Sequence, residues 1–192
     1  MAVGKGVLPS LMPVPGVRLA TVCAGIKYVD RPDLVLFELA ESSSVAATFT
    51  RNAFCAAPVT VAREHWQTTG GARYWLVNTG NANAGTGDKG VADAILTCAE
   101  LAELTGVPPA AVMPFSTGVI GELLPVERIC AALPALTSQL TPEGWAAAAQ
   151  GILTTDTRPK GYSREVRCDG HSFVVTGIAN HSRTLRNTSH HK

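Results

Sequence analysis

The sequence predicts a mixed α/β domain, and three observations predict it. Up to Gly80 the chain is a succession of short runs rich in β-branched and aromatic residues, as half-buried strands require. After Gly90 the apolar spacing changes to steps of three and four, the period of a helix with one buried face. The chain of 192 residues is 46% hydrophobic and 16% charged, with a mean hydropathy of +0.15, far from the composition of disordered chains. That length suffices for one domain with a sizeable core.

Val17 to Ile26 (VRLATVCAGI) reads as a first strand and Asp33 to Ala40 (DLVLFELA) as a second, with a tight turn over Lys27 to Pro32. Ser44 to Thr50 is expected as a third strand, Ala57 to Ala62 (APVTVA) as a fourth and Arg73 to Gly80 as a fifth. Val91, Ala94, Ile95, Cys98, Leu101 and Ala102 then form one helical stripe, closed by Gly106, Pro108 and Pro109. AAVMPFSTGVIGE follows as a short strand running into a glycine-containing loop. Pro125 opens a helix carrying Val126, Ile129, Cys130 and Leu133, which Pro134 is expected to end or kink. Gly144 to Ile152 forms another helix, with Thr141 as a candidate cap. Finally EVRCDG and HSFVVTGI face each other across the hairpin turn Asp169, Gly170, His171.

Nothing divides residues 1–179, whereas residues 180–192 (NHSRTLRNTSHHK) differ in composition. This tail carries Arg183, Arg186 and Lys192 and no carboxylate, so the net charge of +1 becomes −2 without it. It is expected to be an exposed, disordered basic segment. Sixteen Lys and Arg against fifteen Asp and Glu leave no field for binding nucleic acid. No apolar run approaches the roughly 20 residues of a membrane helix, and prolines interrupt the N-terminal segment where a signal peptide needs continuity. A cytoplasmic protein without membrane or nucleic-acid partners is expected. Cys23, Cys55, Cys98, Cys130 and Cys168 are too far apart for a zinc knuckle or a disulfide scaffold, so no metal site is expected.

Three loops could carry chemistry. Asn78 to Gly85 (NTGNANAG) offers amides that either fix backbone turns or bind a ligand carbonyl. Pro114 to Glu122 contains Ser116, Thr117 and Gly118, where a hydroxyl beside a glycine lets donors converge on one oxygen, as an oxyanion hole requires. The same tripeptide also suits an ordinary turn. Thr154 to Lys160 (TTDTRPK) places three hydroxyls, a carboxylate and two cations within reach of a zwitterionic amino acid, or else forms a solvated helix end. His65 and His171 read as surface residues, and spacing assembles no Ser/His/Asp set.

In this order, AGIK at 24–27, FTRNAFCAAPV at 49–59, VNTGNANAGTG at 77–87, PFSTGVIGELLP at 114–125 and ILTTDTRPK at 152–160 resemble the bifunctional ornithine acetyltransferase / N-acetylglutamate synthase family of arginine biosynthesis. The resemblance covers residues 1–179. It implies the α-chain half of an αββα layered sandwich of the ornithine acetyltransferase / DmpA-like type. Members cleave themselves before a threonine that becomes the β-chain nucleophile, and α and β chains associate as a heterotetramer. That threonine carries acetyl from N-acetylornithine to glutamate by a ping-pong route. No bound cofactor is implied, although some members also accept acetyl-CoA as donor. The resemblance makes Thr117 and Gly118 the oxyanion-hole pair and Thr154 a substrate-binding residue.

The pattern departs after Gly177–Ile178–Ala179. In the family a segment like KGSGMI follows, and then PNMATML with the scissile bond and the nucleophile. Here Asn180 stands where the family has a substrate-binding lysine, and neither Thr184 nor Thr188 lies in a matching context. Residues 180–192 are therefore expected to be unselected coding after an altered reading frame. The chain is expected to be inactive without a β chain, because a hole that stabilises an oxyanion cannot create one. The competing reading is a non-catalytic binding or scaffold remnant that keeps the fold. A hydrolase using Cys55 or Thr154 lacks any base beside either residue.

Overall fold

A computed structural model describes residues 7–180. The expected tail therefore lies, Asn180 apart, outside the described residues. Four strands form one sheet in the order β1 (Val17–Val22), β2 (Leu34–Leu39), β3 (Tyr74–Asn81), β4 (Val112–Val119). The first three are antiparallel neighbours, while β3 and β4 run parallel. A parallel step requires a crossover, and α2 (Gly87–Thr105) supplies it. The α/β class expected from the sequence is the class observed.

Alternation along the strands gives the sheet two apolar faces. On one, Ala20, Leu34, Leu36, Leu76 and Val112 pack against Val61 of α1 (Ala57–Thr69), Cys98 and Leu101 of α2, and Leu133 of α3 (Val126–Ser138). On the other, Leu19, Val35 and Phe37 meet Trp145, Ala148 and Ile152 at α4 (Trp145–Gly151). Phe37 there touches Trp75 and Trp145, with ring centroids 5.5 and 6.2 Å apart. Each such side chain taken out of water contributes about 1.5–3 kcal/mol, so the helix layer and α4 hold the sheet from both sides. Beneath the helix layer Glu38 accepts hydrogen bonds from Arg18 and from the Tyr74 hydroxyl. Burial alone would raise its pKa, but these bonds outweigh it and hold the carboxyl below its ordinary value.

The last two strands, β5 (Lys160–Cys168) and β6 (His171–Ala179), form a separate antiparallel hairpin. Its turn residues Asp169 and Gly170 both have positive φ, 50° and 79°, as a type I′ turn requires. Ile178 packs against the α4 side of the sheet, whereas Tyr162, Phe173 and Val175 are exposed.

Three expectations are corrected and a fourth is narrowed. Ala57 to Ala62 is not a strand but the first half of α1. Pro58 lies in its first turn, and Ala57, Pro58, Val61 and Ala62 are buried on one helical stripe that outweighs the strand preference of Val59, Thr60 and Val61. Ser44 to Thr50 forms no strand, because almost all of it is exposed and no strand lies beside it. It is instead pinned to α1, where Arg63 stacks over the Phe49 ring and donates to the Thr50 carbonyl. Of the two outcomes expected at Pro134, an end to the helix is excluded: the helix continues to Ser138 because Leu133 and Leu136 anchor it in the core on either side. Thr141 does not cap α4; its backbone bridges Leu19 of β1 at 2.8 and 3.0 Å, and its hydroxyl pairs with Glu143.

Candidate functional site

The parallel strands β3 and β4 end side by side, and in an open sheet the carboxyl ends of parallel strands are where ligands collect. Thr79 pairs in register with Thr117, and Gly80 with Gly118, before a bulge at Gly80 and Asn81 breaks the ladder. Gly118 has φ +142°, and a Cβ placed on it would lie 2.3 Å from the Gly80 carbonyl carbon and 2.5 Å from the Asn81 nitrogen. Only glycine permits two backbones to approach that closely. The strand ends are thus locked together at the residue pair read from the sequence as oxyanion donors.

Other loops converge on this point. β1 stops at Val22, and the following residues turn inward because the Asp33 carboxylate accepts the Ala24 and Ile26 amides, both at 2.6 Å. Lys27 is thereby brought against Gly80. The Thr79 hydroxyl donates to the Gly151 carbonyl at 3.1 Å, which ties β3 to the end of α4. Arg31 Nη2 donates to the Leu153 carbonyl at 2.6 Å and to the Thr154 carbonyl at 3.3 Å. The result is a cleft of about 370 Å³ whose walls include Lys27, Arg31, Asp33, Gly80, Thr117, Gly118, Thr154 and Thr155.

Thr117 and Gly118 therefore share one cavity with Thr154, more than thirty positions further along the chain. Thr117 is half-buried, and its hydroxyl has no hydrogen-bond partner among the described residues. A hydroxyl so placed can donate to an oxygen in the cleft, beside the Gly118 backbone. Of the TTDT segment, Thr154 and Thr155 line the cavity, while Asp156 is paired with Lys160. The charged groups at the cleft are instead Lys27, Arg31 and Asp33.

The asparagine-rich loop takes the structural of its two readings. Asn78, Asn81 and Asn83 are buried, and their amides hold backbone. Asn78 donates to the Asn81 carbonyl, Asn81 to the Glu122 and Leu123 carbonyls, and Asn83 to the Gly90 carbonyl, at 2.8–3.1 Å. His65 is a constituent of α1 and contacts the Val112 carbonyl at 2.7 Å through Nδ1, while His171 lies on the hairpin beside Phe173. Neither borders the cleft. Cys55 donates to the Asn52 carbonyl at 2.9 Å, away from the cleft. Burial pushes the Cys98 thiol up to about 12, leaving it inert. Among the described residues no group of three His, Cys, Asp or Glu could hold a metal ion, and no helix is long and apolar enough to cross a membrane.

Arg31 and Asp33 are the site residues that sequence reasoning missed. Both fell in or beside a segment read as a plain turn. The available signal was a cation and a carboxylate flanking Pro32 at the start of a buried strand, where unpaired charge is costly.

The whole architecture matches two solved structures. The arginine biosynthesis bifunctional protein ArgJ of Bacillus halodurans superposes with a TM-score of 0.82 at 34% identity, over 90% of this chain and 90% of that one. The ornithine acetyltransferase of Mycobacterium tuberculosis complexed with ornithine does so with a TM-score of 0.78 at 29% identity, over 92% and 95%. The fold is that of a family whose members are acyltransferases of arginine biosynthesis. A model of the ArgJ family matches residues 18–186, and the chain belongs to that family. Curated relatives agree: the arginine biosynthesis bifunctional proteins ArgJ of Pseudomonas syringae pv. tomato and Pseudomonas fluorescens are 56% and 54% identical over 97% of this chain. The chain spans 45% of the length of each.

Proposed function

We propose that residues 1–179 are the α-chain portion of a glutamate N-acetyltransferase that moves acetyl from N-acetylornithine to glutamate in the cytoplasm. The observation that carries this reading is the meeting of Thr117, Gly118 and Thr154 in one cleft beside the locked ends of β3 and β4. In the proposed reaction the hydroxyl of a β-chain threonine attacks the acetyl carbonyl, whose oxygen becomes negative. The Thr117 hydroxyl and the Gly118 N–H donate to that oxygen, and each such donor lowers the barrier by about 2.7–4 kcal/mol. Ornithine leaves, the acetyl group stays on the threonine oxygen, and the glutamate amine then takes it. Thr154, which lines the same cleft, holds the substrate. No bound cofactor enters either half-reaction, and acetyl-CoA is an alternative donor for the first.

Within these 192 residues no threonine stands in the family's nucleophile motif, so the attacking group comes from a β chain in an α/β assembly. The test is acetyl transfer from N-acetylornithine to glutamate by the purified chain, alone and co-expressed with a β chain that begins at its threonine. Activity with the β chain and none without it is expected. Transfer by the chain alone would show that the nucleophile has been misassigned. Saturable N-acetylornithine binding with no turnover in either arm would instead favour a non-catalytic binding protein.

A further inference from the structure

Asp33 and Arg31 stand two residues apart at the start of β2, and each commits its charge to a different backbone segment at the cleft. Asp33 is 3% exposed, with both carboxylate oxygens occupied by the Ala24 and Ile26 amides. Its own carbonyl accepts the Thr79 amide at 2.8 Å and its amide donates to Val22, so it joins the ends of β1, β2 and β3. Beyond the Ala24–Lys27 turn there is no slack. A Cβ on Gly80 would lie 2.8 Å from the Lys27 Cβ, and one on Gly118 would lie 2.3 Å from Gly80. A displacement of the turn is passed through Gly80 to Gly118, because close-packed atoms transmit strain rather than absorb it. Arg31 acts on the segment after α4, where its guanidinium fork spans the Leu153 and Thr154 carbonyls. A planar fork can hold two acceptors at once, which an ammonium cannot do with the same geometry.

We propose that Arg31 and Asp33 are paired positioning residues of the acyl-transfer site: Asp33 sets the oxyanion wall through the Ala24–Lys27 turn and Gly80, and Arg31 sets Thr154. The inference rests on the function proposed above. Because each residue governs one segment, the two should separate kinetically. Asp33→Asn turns an amide N–H toward a backbone N–H and disturbs the wall that acts on the developing oxyanion. Arg31→Lys keeps the charge but frees one carbonyl of the segment that holds substrate.

The test uses the chain assembled with its β chain. Asp33→Asn should lower kcat about tenfold or more with KM for N-acetylornithine nearly unchanged, since small misplacements of catalytic groups are costly. Arg31→Lys should raise that KM about fivefold with kcat nearly unchanged. Asp33→Glu, which retains both acceptor oxygens, should fold and lose less kcat than Asp33→Asn. Equal effects of the Asp33 and Arg31 variants on kcat and KM, or no effect of either, would overturn the proposal. Amide hydrogen exchange on the 192-residue chain gives a second readout that needs no activity. In the Asp33 variants exchange should quicken at Ala24, Ile26 and Ala82, whose amide donates to the Val119 carbonyl next to Gly118, while Ala94 to Leu101 in α2 stays protected; unchanged exchange at Ala82 would overturn the proposal. A wild-type assembly without transfer activity would count against the proposed function alone, and the exchange result would still decide the positioning role.

Discussion

Replacing Gly118 with alanine tests the locked strand ends on which the cleft is built. The new methyl would meet three backbone atoms of Gly80 and Asn81 at 2.3–2.6 Å, with no flexible side chain to yield. Overpacking of this kind costs about 1–3 kcal/mol, and holding an L-residue at φ +142° costs about another 1–3 kcal/mol. The expected loss is therefore about 2–6 kcal/mol, a large part of the roughly 5–15 kcal/mol that stabilises a domain. Gly70→Ala is the control, because Gly70 has φ +63° but nothing within 4 Å of its Cβ position, so only the backbone cost of about 1–2 kcal/mol applies. Urea unfolding followed by circular dichroism reads both changes. A Gly118→Ala variant no less stable than Gly70→Ala would refute the close approach of β3 and β4, and with it the geometry assigned to the oxyanion wall.

Other predictions concern the supports of the site. Asn83→Ala leaves the Gly90 carbonyl without its donor and places alanine at φ 44°, so unfolding free energy should fall by about 2–5 kcal/mol, read from the urea midpoint. Because the Glu38 pKa is lowered on folding, its contribution is fully present above the unfolded value of about 4.3 and is lost as pH falls through the folded value. Stability measured from pH 6 to pH 3 should accordingly drop less steeply in Glu38→Gln than in the wild type, and equal slopes would contradict the Arg18, Glu38 and Tyr74 network. A thiol reagent should label Cys23 and Cys168 in the folded protein, whereas Cys98 should react only on unfolding; early labelling of Cys98 by mass spectrometry would contradict its burial.

What was legible in the sequence was local. The Ser116, Thr117, Gly118 run and the hydroxyl-rich run from Thr154 suited a turn or helix end as well as a site, and it was the family resemblance that singled out Thr117, Gly118 and Thr154. The β1, β2, β3 and β4 runs and the Asp169, Gly170 turn declared themselves through alternation and turn chemistry. The α1 helix did not, because Val59, Thr60 and Val61 look like a strand until the stripe that includes Ala57 and Pro58 is seen against the core. The positions of Arg31 and Asp33 were hidden for another reason. Arg31 finds its partners 122 and 123 residues away, and no local pattern encodes a contact of that separation. The asparagine loop lay between these cases: its amides announced hydrogen bonding, but only the fold decided that the partners are backbone carbonyls rather than a ligand.

The measurement that bears most directly on the account is kcat for Thr117→Ala in the chain assembled with a β chain, with N-acetylornithine as donor and glutamate as acceptor. Loss of an oxyanion donor predicts a fall of about 10²–10³ in kcat, with the α/β assembly and thermal unfolding unchanged. A Thr117→Ala assembly that transfers acetyl at the wild-type rate would contradict the assignment of this cleft as the oxyanion half of the site.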